Sequence, residues 1–313
     1  MRKIRKTFLY LLMIAILTIQ VYPIFWIFMT SLKTTEEVQK GSTFALPAAF
    51  NIHNYIRAVE TSNLGLYFKN SIIVLLVTIT ALVLFSSTAA FALEKMRFRM
   101  NQWVLSFFLL GITIPIHVTL IPLFQIYRNS HLLNTYWALI VPQIGFNLPL
   151  SIYLFITFYK FVPDTIMEAA AIDGASIWRI FINIMLPMSK NCIITVVTMN
   201  TIFIWNEFVF ANTFISDSKL KTIPIGLFDY IGAKGMVDWG ATFSAISIFL
   251  LPVLIVYFLL NKGIIEMCIR DSYYDNHREG KGKSDDSALQ PPGHPEQFRV
   301  QDDERQDEVE NKG

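Results

Sequence analysis

The chain has 313 residues, 53% of them hydrophobic and only 16% charged, against about a quarter charged in an ordinary soluble domain. That excess of apolar surface, with 26 Phe among it, has no place in a single aqueous core and points to lipid as the solvent. The net charge of +2 averages two unlike parts: residues 267–313 carry 7 basic and 12 acidic side chains, residues 1–266 carry 19 and 12.

The first element is an apolar run over 8–29, preceded by Arg2, Lys3, Arg5 and Lys6. A cleaved signal peptide has a shorter apolar region, about 7–15 residues, and small residues at the cleavage site. Here Phe25, Trp26 and Phe28 stand where cleavage would fall, so a retained first helix is expected. Five more runs come after it, at 70–93, 102–123, 135–159, 191–211 and 241–260. Each approaches the roughly 20 apolar residues that cross a bilayer as helix. Helices are preferred because each satisfies its own backbone hydrogen bonds in lipid. Pro115 and Pro122 in the third run, and Pro142 and Pro149 in the fourth, predict kinks.

Basic residues cluster before the first run, at Lys95, Arg97 and Arg99 after the second, and at Lys160, Arg179 and Lys190 after the fourth. By the bias of Lys and Arg towards the cytoplasm, these segments and both termini are cytoplasmic. The expected fold is an all-α membrane protein: six transmembrane helices over 1–266, with a cytoplasmic helix–turn–helix in the loop at about 160–190. Residues 267–313 are polar, rich in acid, Gly and Pro, and read as a disordered tail.

The loop from Val162 to Pro187 is the most informative stretch. Asp164 is placed to cap a short helix running to about Ile172. Asp173 and Gly174 then mark a stop, because Gly takes the left-handed conformation that closes a helix. Ile177, Ile180, Phe181 and Ile184 fall at i, i+3, i+4 and i+7, one apolar face of a second helix that Pro187 ends. Three consecutive alanines, Ala169 to Ala171, give the first helix a low profile that another protein's surface could approach closely. An amphipathic pair lying on the membrane is the plain alternative.

Glu168, Ala169, Ala170, Asp173, Gly174 and Ala175, followed by Phe181, Ile184, Leu186 and Pro187, closely resemble the EAA motif of ABC-importer permeases. In that family the loop is the element that docks in a cleft of a separate ATPase subunit. Further segments resemble the carbohydrate-uptake branch, in particular the smaller permease of the maltose type. They are Ser31 to Lys33 with Glu36, Asn54 with Tyr55, Asn70 with Ser71, Ile121 to Phe124, Leu133 to Leu139, and Trp205 to Phe208. The resemblance spans about residues 8–266. It implies a non-catalytic subunit that moves a sugar or oligosaccharide inward across the bacterial cell membrane by alternating access. The implied partners are a second permease, two ATPase subunits that bind ATP and Mg, an external solute-binding protein and membrane lipid, with no nucleic acid. No cofactor or metal is expected on the chain itself. The resemblance stops near Met267, where the sequence diverges as a chimeric or mis-assembled junction would.

Ionisable and polar groups within spans are costly, so each is a candidate for a path. Glu207, His117, Gln143, Asn147, Tyr153, Trp205 and Asn206 form that set. The bland readings are a hydrated carboxylate at the interface for Glu207, a bond to a proline-freed carbonyl for His117, helix bridging for the amides and an aromatic belt for the rings. Glu94, beside Lys95 at the end of a span, reads as solvated or ion-paired. Other cargo, such as an amino acid, peptide or anion, keeps the superfamily. An ion-coupled secondary transporter would bring inverted repeats and more buried carboxylates. A membrane enzyme would need reactive groups at depth, yet no HExxH or GxSxG occurs. No Walker A loop occurs either, since residues 280–284 are too short for one, so ATP-driven work requires a partner chain. Cys192 and Cys268 make neither a disulfide framework nor a metal-ligand spacing.

Overall fold

The computed structural model describes residues 2–259 apart from 43, 97 and 231–236, with only the backbone given for residues 2–5 and 61. The expected tail at 267–313, the junction near Met267, Cys268 and residues 280–284 lie outside the described residues. Every element of three or more described residues is helical.

Helix α1 spans Arg2–Ser31 and carries Pro23 within it. Its apolar side chains are exposed along nearly the whole length, from Phe8 at 64% to Phe25 at 47%, and burial begins only at Thr30 and Ser31. Short helices α2 (Thr35–Lys40) and α3 (His53–Thr61) come next. The start of α2 is a reciprocal capping box: the Thr34 side chain accepts from the Glu37 amide, and Glu37 accepts from the Thr34 amide at 2.8 Å. That bond, first among several, holds the Glu37 carboxyl below its usual range. Glu36, the residue singled out by resemblance, makes only a 3.9 Å exposed pair with Lys40.

Helix α4 (Leu64–Lys95) and helix α7 (Trp137–Lys160) pack along each other extensively, more so than any other pair among the described helices up to Gly226. Pro142 and Pro149 sit inside α7 without breaking it. The third apolar run behaves differently. It divides into α5 (Asn101–Ile112) and α6 (Ile116–Asn129), which meet at 98°. Pro115 occupies the position before α6 and has no amide to continue the ladder. A broken segment therefore replaces the kinked helix expected there. After the elbow α8 (Asp164–Ile172), α9 (Ile177–Ile180) and α10 (Leu186–Met188), helix α11 runs over Lys190–Trp205, at 71° to the segment before it. The fifth run thus ends as helix at Trp205, short of 211. Residues beyond it restart as α12 (Val209–Phe214) and α13 (Ile223–Gly226), and α14 is Trp239–Leu259, the last helix among the described residues. Among the described residues four helices are long and apolar enough to cross a membrane, up to six if each bent pair is one crossing.

Two apolar clusters sit at opposite ends of the α4–α7 pair. One gathers Phe91, Phe155, Tyr159, Phe181, Met185 and Val196 beneath the elbow. The other gathers Val74, Leu82, Tyr127, Leu139, Phe210 and Phe214 beneath a cap made of α2, α3 and the segments between α11 and α14.

Candidate functional site: a surface elbow and a polar cleft

The elbow is built as its residues dictate. Helix α8 ends at Ile172, and Gly174 stands at φ +79°. Its amide donates to Ala171 O at 3.0 Å and the Ala175 amide donates to Ala170 O at 3.0 Å. These are the two bonds of a Schellman closure, which a residue with a Cβ enters at a cost. Ser176 then caps α9, its Oγ accepting from the Arg179 amide at 3.4 Å. The N-cap position of α8 is Pro163, one residue before the expected cap. Asp164 is the first helical residue instead, and its Oδ1 accepts from Lys95 Nζ at 2.7 Å.

The second helix is not the single straight element its spacing predicts. Residues Phe181–Met185 form a π-helical turn between α9 and α10, and Pro187 lies within the last turn rather than beyond it. A π turn inserts one extra residue and rotates the helix face beyond it. Ile180, Phe181 and Met185 are consequently buried, Ile184 is half-buried, and Ile177 is exposed at 52%. On α8, Ile166, Met167 and Ala170 pack inward, while Glu168, Ala169, Asp173 and Gly174 face outward. Ala175 packs with the inner set and Pro187 is exposed. The crest of the elbow carries Ile172, 86% exposed, and Trp178, 67% exposed, flanked by Glu168, Asp173 and Arg179. A protruding apolar crest with a charged rim is the form of a protein-binding surface.

The seven polar candidates of the spans separate. Gln143, Trp205 and Glu207 meet in one narrow cleft between α4, α7 and the end of α11, together with Ser71 and Thr222. Gln143 is 3% exposed, and among the described residues its Oε1 and the Thr222 Oγ1 have no protein partner. Trp205 is 3% exposed, stacked on Phe249 with centroids 5.9 Å apart and met edge-on by Phe68 at 5.6 Å. Its indole N–H donates to Phe249 O at 3.3 Å. Glu207 accepts from the amides of Phe210 at 2.6 Å and Ala211 at 3.1 Å, so its carboxylate starts α12. His117, Tyr153 and Asn206 are exposed and do not line this cleft, although Asn206 stands between two residues that do. Asn206 Nδ2 donates to Ile202 O at 2.8 Å, a local bond. Asn147 lies one turn along α7 and donates to Gln143 O at 2.8 Å. Beyond it Ser151 accepts from Asn200 Nδ2 at 3.2 Å, a link between α7 and α11 that spacing alone does not single out. Among the described residues no group of three or more His, Cys, Asp or Glu converges.

The cap explains the scattered polar matches. Asn54 Nδ2 donates to Ser31 O at 2.8 Å and Lys33 O at 2.7 Å, and Tyr55 bonds Ser31 Oγ at 2.8 Å. Asn70 Nδ2 donates to Lys219 O and Lys221 O, both at 2.9 Å, while its Oδ1 accepts from Tyr136 at 2.7 Å. Ser71 Oγ accepts from the Ile223 amide at 3.0 Å. Sequence reasoning does not pair Arg57 with Asp238. They form a 3.0 Å salt bridge, and opposite charges in the segments after the first and the fifth apolar runs are the available signal.

An all-helical bundle with several helices long and apolar enough to cross a membrane, and an exposed elbow at one end, is the architecture of a polytopic membrane protein. Residues 83–264 match the family described as binding-protein-dependent transport system inner membrane component, and the chain belongs to it. Among curated relatives, the diacetylchitobiose uptake system permease protein NgcG of Streptomyces coelicolor is 32% identical over 79% of this chain and 82% of its own. The trehalose/maltose transport system permease protein MalG of Thermococcus litoralis is 33% identical over 68% of this chain and 78% of its own. A chain in the crystal structure of a bacterial ABC transporter that imports the acidic polysaccharide alginate has the same fold. Its TM-score is 0.74 at 21% identity, covering 83% of this chain and 96% of that one. The protein is therefore an ABC-type permease, a non-catalytic integral component of the inner membrane. Membership implies ATPase and binding-protein partners.

Proposed function

We propose that this chain is one of two permeases of an importer for a sugar or oligosaccharide, driven by two separate ATPase subunits that bind ATP and Mg. The names of the two relatives support the cargo, one being a permease of a diacetylchitobiose uptake system and the other of a trehalose/maltose transport system. In this reading both termini and the elbow face the cytoplasm and the cap faces outward, towards a solute-binding protein. Residues 164–187 are the coupling element. Glu168, Ala169, Ala170, Asp173, Gly174, Ala175, Phe181 and Pro187 shape it, and Ile172 and Trp178 enter the ATPase cleft. ATP binding closes the ATPase pair, the elbow moves, and the spans rock to open the path outward; hydrolysis resets them. Gln143 and Glu207 belong to the polar lining of that path near its outer end, with Asn147, Trp205, Asn206, Tyr153 and His117 as further members.

The observation that carries the reading is the elbow crest: apolar side chains held outward by a glycine closure, in the chain position where the family places its ATPase contact. Gly174→Arg is the test. A Cβ at 174 meets nothing within 4 Å, so the fold has room for it. The positive φ and the bulk on the crest are what the substitution attacks. Membrane insertion stays at the wild-type level, and uptake of labelled maltose, trehalose or diacetylchitobiose by reconstituted vesicles falls on the order of 100-fold, the effect of about 2.7 kcal/mol. Wild-type uptake by the variant overturns the coupling assignment; uptake of none of the three sugars by the wild-type complex overturns this choice of cargo.

A further inference from the structure

We propose that Lys95 is a positioning residue for coupling: it clasps the start of the elbow to the end of α4, so that α4 receives the elbow's motion through a directional tie while α7 receives it through the chain itself. The inference rests on the elbow being the ATPase contact. Lys95 lies in the last turn of α4. Its Nζ donates to Val162 O at 2.7 Å and to Asp164 Oδ1 at 2.7 Å, spanning 67 and 69 residues of sequence. The Lys95 side chain is only 5% exposed, whereas Asp164 is 56% exposed. The lysine side chain is therefore covered by its surroundings while its carboxylate partner stays open to solvent.

Both charges also suit the helix ends they occupy. A cation complements the free carbonyls at the C-terminus of α4, and an anion complements the free amides at the N-terminus of α8. The pair is thus an electrostatic splice between the end of one helix and the start of another. Asn101 adds a second tie at the same point, its Nδ2 donating to Leu93 O and so fixing the start of α5 to the end of α4. The elbow also meets the bundle through apolar side chains, Ile166, Met167, Ala170, Phe181 and Met185. Apolar packing is non-directional and permits sliding. A bidentate bond from one ammonium to a carbonyl and a carboxylate fixes direction as well as distance. Because α4 packs extensively along α7, displacement of its end is carried into the middle of the bundle.

The test uses the full importer purified with its paired permease, ATPases and binding protein, and reads the ratio of binding-protein-stimulated to basal ATP hydrolysis. In Lys95→Met the ATPases stay attached and basal hydrolysis is unchanged, while the stimulation ratio falls about 10-fold; Lys95→Arg, which keeps both donors, restores at least half of it. Asp164→Asn keeps the bond to Val162 O and falls two- to three-fold. A full ratio in Lys95→Met overturns the clasp and leaves the coupling reading standing, as does loss of ATPase attachment in that variant, which would make Lys95 a docking residue instead. Should Lys95→Met fail to fold, an unchanged ratio in Asp164→Asn overturns the clasp. A wild-type permease that purifies without any ATPase removes the coupling reading itself, and Gly174→Arg in parallel tells the two failures apart.

Discussion

The elbow and the cap terminate the same pair of helices, α4 and α7, and they are built on opposite principles. At the cap, side-chain amides and hydroxyls bond to backbone groups far away in sequence. Asn54 reaches Ser31 and Lys33, Asn70 reaches Lys219 and Lys221, and Ser244 reaches Ser31 O at 3.1 Å. Asn54 and Asn70 are both fully buried. At the elbow the backbone closures are short-range, Lys95 adds a long-range tie, and Ile172 and Trp178 point away from the protein while Ile180, Phe181 and Met185 are buried. Both ends leave apolar side chains exposed, Phe44, Leu46 and Phe50 at the cap and Ile172 and Trp178 at the elbow, so the contrast lies in the bonding. Bonds to distant parts of the chain make the shape of the cap depend on the whole fold, whereas local closures let the elbow hold its own shape while its outer face stays open.

Substitutions at the two ends break this contrast, and the largest effect is expected at the crest. Ile172→Asp removes its most exposed apolar side chain and leaves the permease's own core untouched. Thermal stability of the isolated permease stays within about 0.5 kcal/mol, as for ordinary surface changes. Association with the ATPase weakens by about 3 kcal/mol, on the order of 100-fold, because a buried apolar contact is lost and a charge is desolvated. Titrated pull-down of the ATPase onto the permease measures it. If stability falls and association does not, the crest is packed within the chain and the contrast fails.

Asn54→Leu makes the complementary break at the cap. The residue is isosteric enough to fill the space, yet it leaves Ser31 O and Lys33 O without their donor and the Arg57 guanidinium without the acceptor it reaches at 2.5 Å. Buried groups left unpaired cost roughly 1–3 kcal/mol each, so a loss of roughly 3 kcal/mol in detergent-solubilised unfolding is expected, with ATPase association unchanged. Gly240→Ala strikes the same place sterically, since a Cβ there stands 2.7 Å from Asn54 Oδ1.

The elbow is more fully legible in the sequence than the rest. The end of α8 at Ile172 and the left-handed Gly174 can be read there because both are local, set by a run of helix formers and a stop. The membrane-spanning character and the position of most helices are legible for the same reason. The π turn at Phe181–Met185 is not, because Ile177, Ile180, Phe181 and Ile184 keep a regular helical spacing in sequence and only packing against Phe91 and Tyr159 selects Met185 for burial. Pro115 and Pro122 predict kinks, but whether a proline bends a helix or breaks it depends on what covers the freed carbonyls. The cleft is half legible: Gln143, Trp205 and Glu207 stand out as polar or aromatic groups in spans, but Ser71 and Thr222 join them only through tertiary placement. Lys95 stands out for its charge and its place at the end of a span, and its partner lies 69 residues away.

Asn134 offers the smallest and most discriminating test of the cap. It stands at φ 54°, a left-handed conformation that Asn tolerates better than residues lacking a short polar side chain. Its Oδ1 accepts from the amides of Ser216 at 2.6 Å and Asp217 at 2.9 Å, and its own amide donates to Phe214 O at 3.1 Å. The residue thus holds the segment after α12 against the loop before α7 by two separate means, backbone shape and side-chain bonding. Asn134→Gly keeps the shape and deletes the acceptor, and because these amides are partly reached by water the loss is about 1 kcal/mol. Asn134→Ala deletes both and loses about 1 kcal/mol more, the steric cost of the left-handed region. Unfolding midpoints in detergent that rank wild type above Gly above Ala assign both roles. Equal losses in the two variants would mean that the conformation costs nothing there and the hydrogen bonds alone hold the cap closed. Gly at wild-type stability would mean the reverse, that the cap's long-range bonds are replaceable by water and its rigidity comes from backbone shape.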